Sequence, residues 1–512
     1  MKHDRSPLVA TLDQASLDQF VTELVTAGFE PIPGAGARWR GPIHPALRKW
    51  TKSEDMDILV QDGWPIRHPR VYVPGLELEH VNHEGEVCLW RDDDPVMDWV
   101  TLGGINRRIE AWSDAGRSGF REVDVALDAH LYFQPAGIGL AIIDPEEFRR
   151  NGALRDGDFE SIYASRVGAA LRLTARQIAG DVLKGRWYYR SREIQQPRNV
   201  QSFRSALTSA QQRHFDNGLQ QFREGKRGAL DVLLLMWETG YGMNLLVLVP
   251  KLVGKGNVEL SSIEAASVDV GTLMRRSGPD ADALLRKSAA LFGVGAVGSH
   301  VALGLSGAGL GSLTLVDGDL LRPGNVVRHA VGHSLVGQNK AGAVRQELAT
   351  RSPWTAVQAQ ESDVWSPQEI LNLCESNDLV IDATGNAAFS ILISQVAERH
   401  DCALVSVSLY RSGRVARVRR QWRGTPAIYR RADLDVYPLI PAGNEEESFL
   451  ETGCSAPVNL APPHVVLSAA ALACQICVDT LLDRAELADE IIDVYRPLPE
   501  EGFQRFTRRL VA

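Results

Sequence analysis

Cysteine is scarce in this chain. Cys88, Cys374, Cys402, Cys454, Cys474 and Cys477 are the only six in 512 residues, too few and too scattered for a disulfide framework. An excess of basic charge is missing as well. Against 64 Asp and Glu stand 55 Lys and Arg, a net charge of −9, so no nucleic acid and no anionic membrane surface is an expected partner. The opening MKHDRSPLVATLDQ has no apolar core ahead of a small-residue cleavage site. No signal peptide is read there, and the expected location is the reducing cytoplasm. Asp, Glu, Lys and Arg are all absent from 288 to 316. That length suits a membrane helix, but glycines divide it into strand, turn, helix and strand, a pattern that argues against a bilayer span. No internal repeat or low-complexity segment is visible.

What is present is ordinary globular composition, 44% hydrophobic and 23% charged, in a chain long enough for two or three domains. The most informative stretch is LFGVGAVGSHVALGLSGAGLGSLTLVDGD, Leu291 to Asp319. Gly293, Gly295 and Gly298 form G-x-G-x-x-G, and Asp317 with Asp319 closes the next strand as D-x-D. Such glycines let a turn bend and bring backbone N–H groups and a helix N-terminus up to a phosphate. Alone, this says only that some nucleotide binds. An NAD site is the first rival, since Asp317 falls about 20 residues after the glycines, where a ribose ligand is wanted. The residues downstream do not suit hydride transfer. Asn325, Arg328 and Lys340 follow in quick succession, and Asp382 ends the apolar strand DLVIDATGN. Two cations, an amide and a second carboxylate around a glycine loop suit a triphosphate with a metal ion: the cations stabilise the leaving pyrophosphate and the carboxylate holds the metal.

Elsewhere the patterns are coarser. Leu17, Phe20, Leu24 and Phe29 have helical spacing, and proline-punctuated extended runs follow, then HVNHEGEVCLW and a helix-like segment from Thr101 to Trp112. Residues 1 to about 120 therefore read as an α+β unit. From 121 to 270 no chemical motif stands out. HLYFQPAGIGLAIID reads as a strand pair, and GDFESIYASRVGAALRLTARQIAGDVL as helical stretches. QSFRSALTSAQQRHFDNGLQQFREGKR reads as an exposed helix pair, and Trp187-Tyr188-Tyr189 as core. Cys374 and Cys402 flank strands and read as core. Cys474 and Cys477 form a lone C-x-x-C in an Ala/Leu/Val helix, which reads as core since a structural zinc needs four ligands.

In order, G-x-G-x-x-G, D-x-D, N-x-x-R, G-Q-x-K (Gly337 to Lys340) and a D-x-T strand end resemble the ubiquitin-activating (E1-like) or ThiF-like adenylyltransferases. The resemblance implies ATP and Mg²⁺. Asp317 would bind ribose, Asn325, Arg328 and Lys340 would contact phosphates, and Asp382 would hold Mg²⁺. It also implies a homodimer, with Arg275 or Arg276 as the arginine reaching the partner's phosphates, against the plainer reading of a solvated surface pair. The implied chemistry is adenylation of a C-terminal carboxylate, followed by attack of a thiol. Cys454, in G-C before a long apolar helix, resembles the thioester cysteine of activating enzymes, and a nearby helix N-terminus would stabilise its thiolate.

The N-terminal unit resembles the ubiquitin-conjugating (E2-like) fold, through His80-Val81-Asn82, then Gly85-Glu86-Val87-Cys88-Leu89, then Trp99. Cys88 would be the conjugating cysteine. The family's H-P-N proline is replaced by Val81, so Asn82 and His80 are candidate supporting residues, with His83 an alternative. The expected architecture is multidomain α/β: an N-terminal α+β ubiquitin-conjugating-like domain (1–120), a middle linker domain (121–270) and a C-terminal Rossmann-like E1/ThiF adenylation domain with its thioester cysteine (271–512). This arrangement looks like the bacterial activating–conjugating fusions of CBASS anti-phage operons. It implies a relay from adenylate to Cys454, to Cys88, and on to a target lysine, with a cGAS/DncV-like nucleotidyltransferase or a true ubiquitin-like protein supplying the C-terminus. A sulfur-carrier adenylyltransferase and a non-catalytic scaffold with a merely buried Cys88 are the alternatives from other classes.

Overall fold

Asp13 starts the chain's first helix, its side chain accepting from the Ser16 N–H at 3.0 Å. The computed structural model describes residues 9–90, 96–120, 127–433, 448–450, 457–496 and 507–511, apart from 181, 227, 241 and 255. Contacts divide the chain into two units, Met1–Asp269 and Val270–Ala512.

The first unit opens with α1 (Gln14–Thr26), which buries Leu17, Phe20 and Leu24, the one-faced pattern of a surface helix. Five strands follow, β1 (Glu30–Pro31), β2 (Arg38–Pro42), β3 (Asp55–Leu59), β4 (Arg70–Tyr72) and β5 (Glu86–Val87), paired antiparallel in chain order. Helix α2 (Leu102–Ser118), capped by Thr101, closes this part. Its core is rich in tryptophan: Trp39, Trp64, Trp90, Trp99 and Trp112 are all buried.

The rest of this unit is a nine-stranded sheet. Its strands are β6 (Gln134–Pro135), β7 (Leu140–Ile143), β8 (Phe159–Val167), β9 (Ala170–Thr174), β10 (Leu183–Arg190), β11 (Val232–Thr239), β12 (Gly242–Val253), β13 (Asn257–Ile263) and β14 (Ala265–Ser267). Helices α3 (Val200–Ala206) and α4 (Ser209–Arg223) cross between β10 and β11, which pair in parallel. The order is β14-β7-β9-β8-β10-β11-β12-β13-β6. Only Glu264 separates β13 from β14, and these lie toward opposite edges. The sheet must therefore curl until its edges approach. Along β11 the side chains alternate between two cores. Leu233, Leu235 and Trp237 face α3 and α4, while Val232, Leu234 and Met236 face the inside of the curl.

Three expectations change here. The segment 159–174 is a hairpin and not helical, turning at Gly168 with φ of +61°. Its buried Ile162, Ala164, Leu171 and Leu173 have period two, and cross-strand pairing outweighs the helix propensity of its Ala, Leu and Arg. The strands β6 and β7 do not pair with each other; β6 pairs with β13, and β7 with β9 and β14. The helix pair is exposed on one face only, because Phe203, Phe215 and Leu219 are core. Trp187, Tyr188 and Tyr189 are buried.

The second unit begins with two short helices, α5 (Val270–Met274) and α6 (Ala281–Leu284). Then strands and helices alternate: β15 (Ser288–Phe292), α7 (Ala296–Gly307), β16 (Ser312–Val316), α8 (Lys340–Arg351), β17 (Ala356–Gln360), α9 (Pro367–Glu375), β18 (Leu379–Asp382), α10 (Ala387–His400) and β19 (Leu404–Tyr410). After β20 (Val415–Gln421), the antiparallel pair of β21 (Ser448–Leu450) and β22 (Pro457–Asn459) precedes α11 (Pro463–Leu481), β23 (Glu490–Val494) and β24 (Thr507–Val511). The eight-stranded sheet runs β17-β16-β15-β18-β19-β20-β23-β24, parallel through β19 and antiparallel beyond. Strand order reverses at β15, so a crevice opens between the ends of β15 and β18, where ligands bind in open α/β sheets. Helix α11 is long and apolar enough by composition to cross a membrane. Here that apolarity is used in packing: Val465, Ala469, Leu472, Ala473 and Ile476 join the core shared with α7. A Cβ on Gly304 would lie 2.6 Å from the Cys474 sulfur, so the two helices touch closely. Cys474 and Cys477 are packed there, and burial pushes the Cys474 thiol up to about 12.

Candidate nucleotide site

The strand β15 ends in Phe292 and the chain turns at once. Gly293 has a φ of +81°, and a Cβ there would lie 2.7 Å from the Thr384 backbone. At Gly298 a Cβ would lie 1.9 Å from the Gly293 carbonyl oxygen. Gly295 differs: a Cβ there would meet nothing within 4 Å. It is the N-cap of α7, and no side chain caps that helix. The first N–H groups of α7 and the positive end of its dipole thus open on a cleft of about 860 Å³, which fits an anion.

Around this cleft the D-x-D turn and the start of α8 are tied together. The Asp317 carboxylate accepts from the N–H groups of Val294 at 2.7 Å and Asp319 at 2.9 Å. Burial holds its carboxyl above the ordinary value, opposed by the Lys340 charge. Lys340 reaches the Asp319 carboxylate at 2.7 Å. Asn339 caps α8 through the Gly342 N–H at 3.1 Å and donates to the Asp317 carbonyl at 2.8 Å. Arg328 lines the cleft and donates to the Ala461 carbonyl at 3.3 Å. Of the residues expected here, Gly293, Gly295, Asp317, Arg328 and Lys340 border one cleft.

Asn325 does not. Its carboxamide oxygen accepts from the Arg322 N–H at 3.0 Å and closes a local turn. Asp382 stands apart from its expected metal role. It is 1% exposed. One carboxylate oxygen accepts from the N–H and hydroxyl of Thr384, at 3.1 and 2.7 Å. The other accepts from the hydroxyls of Ser390 and Ser406. Four donors occupy its lone pairs, so this carboxylate does not fit a Mg²⁺ ligand as it stands. It holds the Thr384 turn against the glycine loop instead. The carboxylates that do border the cleft are Asp317, Asp319 and Asp363. Arg275 and Arg276 follow α5 and are exposed, with no ion pair among the described residues.

Two residues with no expected role also shape this region, one lining the cleft and one bracing it from behind. Trp365, 51% exposed, forms part of its wall and meets Phe389 edge-on at 5.5 Å. His329 is buried; its Nε2 contacts the Val294 carbonyl at 2.8 Å and its Nδ1 accepts from the Val331 N–H at 3.3 Å. Nε2 must then carry the proton. Burial pushes this imidazole down to about 4, so it stays neutral and pins the glycine loop to the segment carrying Arg328. Its position directly after N-x-x-R was the available signal; Trp365 had none.

In the first unit Cys88 follows β5 and is exposed, which removes the reading of a buried cysteine. Its N–H donates to the His80 carbonyl at 2.9 Å. His80 has a φ of +62°, and its ring lies 4.3 Å from that of Phe120. Asn82 does not address the thiol. Its oxygen accepts from the N–H groups of Glu84 and Glu86 at 3.0 Å each, and its amide donates to the Glu86 carboxylate. His83 is held by the turn before β6, its N–H donating to the Leu131 carbonyl at 2.9 Å. Cys454 lies outside the described residues.

Residues 272–486 match the model of the ThiF family. Among curated proteins, y4oA of Sinorhizobium fredii is 31% identical over 202 residues, covering 35% of this chain and 33% of that protein. The ATP-dependent ubiquitin transferase-like protein Cap2 of Pseudomonas aeruginosa is 27% identical over 288 residues, covering 51% of this chain and 50% of Cap2. The probable adenylyltransferase/sulfurtransferase MoeZ of Mycobacterium tuberculosis is 28% identical over 196 residues, covering 38% of this chain and 49% of MoeZ. The chain spans 33%, 50% and 49% of the length of these three relatives. The glycine-loop crevice, with its aspartate, arginine and lysine, thus lies within the segment, residues 272–486, that matches the ThiF family model.

Proposed function

We propose that this protein adenylates the C-terminal carboxylate of a polypeptide with ATP and passes the acyl group through cysteines to an amine. The observation that carries the first step is the cleft itself. An uncapped helix N-terminus, an unobstructed Gly295, Arg328 and Lys340 converge on one space, inside the segment that matches the ThiF family. The α7 N–H groups, Arg328 and Lys340 would hold the phosphates, and Asp317 would take the ribose hydroxyls. A carboxylate oxygen attacks the α-phosphorus, the bond to the β-phosphate bridge breaks, and pyrophosphate leaves. The product is an acyl-adenylate.

A thiolate then attacks the acyl carbon and releases AMP. Cys454 is the proposed first thiol and Cys88 the second. Attack of a lysine amine on the second thioester yields an amide and frees the Cys88 thiol. The exposure of Cys88 and the similarity to a ubiquitin transferase-like protein support this relay, with residues 1–120 as its conjugating-type domain, 121–270 as a linker domain and 271–512 as the adenylation domain. We take the acyl donor to be a cGAS/DncV-like nucleotidyltransferase, acting in the cytoplasm in anti-phage defence with the enzyme as a homodimer. A true ubiquitin-like carrier is the nearest alternative. A sulfur-carrier adenylyltransferase is the second reading, favoured by the similarity to MoeZ, and it gives Cys88 no task.

Pyrophosphate release from ATP in the presence of candidate donors, followed on non-reducing gels, separates these readings. The relay predicts thioester adducts on wild type and, for Cys88→Ala, an acyl group stalled on Cys454 with adenylation intact. Conjugation by Cys88→Ala at the wild-type rate would sink the relay. No pyrophosphate release with any carboxylate donor would sink the adenylation step.

A further inference from the structure

Arginine is the one side chain that cannot shed its charge to survive burial. Arg419, on β20, is 9% exposed. Its guanidinium makes no hydrogen bond or ion pair with the described residues, and its Nε is buried without a partner. Its neighbours are all matched. Arg417 binds Glu490 at 2.7 Å, Arg420 binds Asp489 at 2.7 Å and also Asp479, and Arg431 approaches Glu490 at 3.6 Å. Glu490 stands directly opposite Arg419 in the strand register, yet it is engaged by Arg417 and Arg431. A buried cation left without an anion is strongly unfavourable. An anion reaching Arg419 would relieve that cost.

The register shows where. Asp382, Ser406 and Arg419 are directly opposite one another across β18, β19 and β20, so their side chains share one face. Ser408, two residues along that face and directly opposite Arg417, borders the cleft, which puts Arg419 one step behind the cleft lining. The Asp382 carboxylate is already held by hydroxyls and makes no ion pair with Arg419. Adenylation must bring together two anions, the triphosphate and the carboxylate. Arg328 and Lys340 serve the first on the glycine-loop side; the cleft residues from β19, Val407, Ser408 and Leu409, carry no charge, and Arg419, unpaired among the described residues, is the cation behind them on β20. We propose that Arg419 is the cationic subsite for the carboxylate that is to be adenylated, the free C-terminus of a polypeptide entering beside Ser408. This rests on the adenylation reading above, and it names how the second substrate is held.

The test uses the full chain with N-acetyl-glycylglycine as the carboxylate probe, its C-terminal amide as control, and a non-hydrolysable ATP analogue, all by titration calorimetry. Wild type should bind the carboxylate saturably and the amide not at all. Arg419→Gln should weaken the carboxylate at least about tenfold and leave the ATP analogue within about twofold, with Arg419→Lys in between. Arg419→Met should unfold at the same or a higher temperature, because it removes an unpaired buried charge. Equal carboxylate binding by wild type and Arg419→Gln overturns the proposal, as does a wild type that takes the ATP analogue but no carboxylate. Parallel loss of the ATP analogue in Arg419→Gln would make this a phosphate site and overturns it too. A lowered unfolding temperature for both Arg419→Met and Arg419→Gln would mark a structural partner instead. If wild type takes no ATP analogue, the adenylation reading itself fails.

Discussion

Gly295 and Gly298 sit in one loop and answer to different demands. A Cβ on Gly298 would meet a backbone oxygen 1.9 Å away, which cannot yield as a flexible side chain would. A Cβ on Gly295 would meet open cleft. Gly298→Ala should therefore lower stability by about 1–3 kcal/mol through overpacking, whereas Gly295→Ala should unfold at the wild-type temperature and lose ATP affinity at least tenfold, about 1.4 kcal/mol or more. Thermal unfolding read beside nucleotide titration checks both. A Gly295→Ala protein that binds ATP normally would show that phosphates do not lie where the uncapped helix points. The spacing of the three glycines was legible as a motif. The saturation of Asp382 was not, because Ser390 and Ser406 are brought to it from α10 and β19 by the fold.

Between elements, the decisive link is His329. It joins the loop before α7 to the segment that carries Arg328, through a contact on each ring nitrogen. Its folded value of about 4 lies below its ordinary 6.5. The neutral form is the one the fold accepts, so its contribution is complete above pH 6.5 and is lost as pH falls from there toward 4. Going from pH 7 to pH 5 should cost the second unit about 2 kcal/mol on this account. His329→Gln should flatten that slope in denaturant unfolding at the two pH values; an unchanged slope would mean the loss comes from other groups. Element order in the second unit was readable from the alternation of apolar runs with helix-length segments. The β8–β9 hairpin was not, since its residues favour a helix locally and only pairing with β7 and β10 holds them extended.

At the scale of the whole molecule, two units carry separate cores. The candidate nucleotide cleft belongs entirely to the second. Calorimetry should therefore resolve two transitions, and ATP should raise one of them alone, by about 2.7 kcal/mol at a hundredfold excess over its Kd. An equal shift of both transitions would mean that the units unfold as one. Each unit also places its candidate site feature on a loop at a strand end: Cys88 after β5, the glycine turn after β15.

The amino-acid sequence by itself determined the glycine loop, the acidic strand end after it, the cationic residues downstream and the cysteine that follows β5. These are local signals, a few residues each, and chemistry selects their types and spacing directly. Tertiary structure alone decided which of them meet. It drew Asn325 and Asn82 into turns, closed Asp382 behind three hydroxyls, set His329 under the glycine loop and left Arg419 buried with no ion-pair partner among the described residues. For Asp382, His329 and Arg419 the outcome depends on other strands or helices, and hydrogen-bond saturation and burial there are properties of the packed sheet; for Asn325 and Asn82 the partners are near neighbours, and the turn geometry decides.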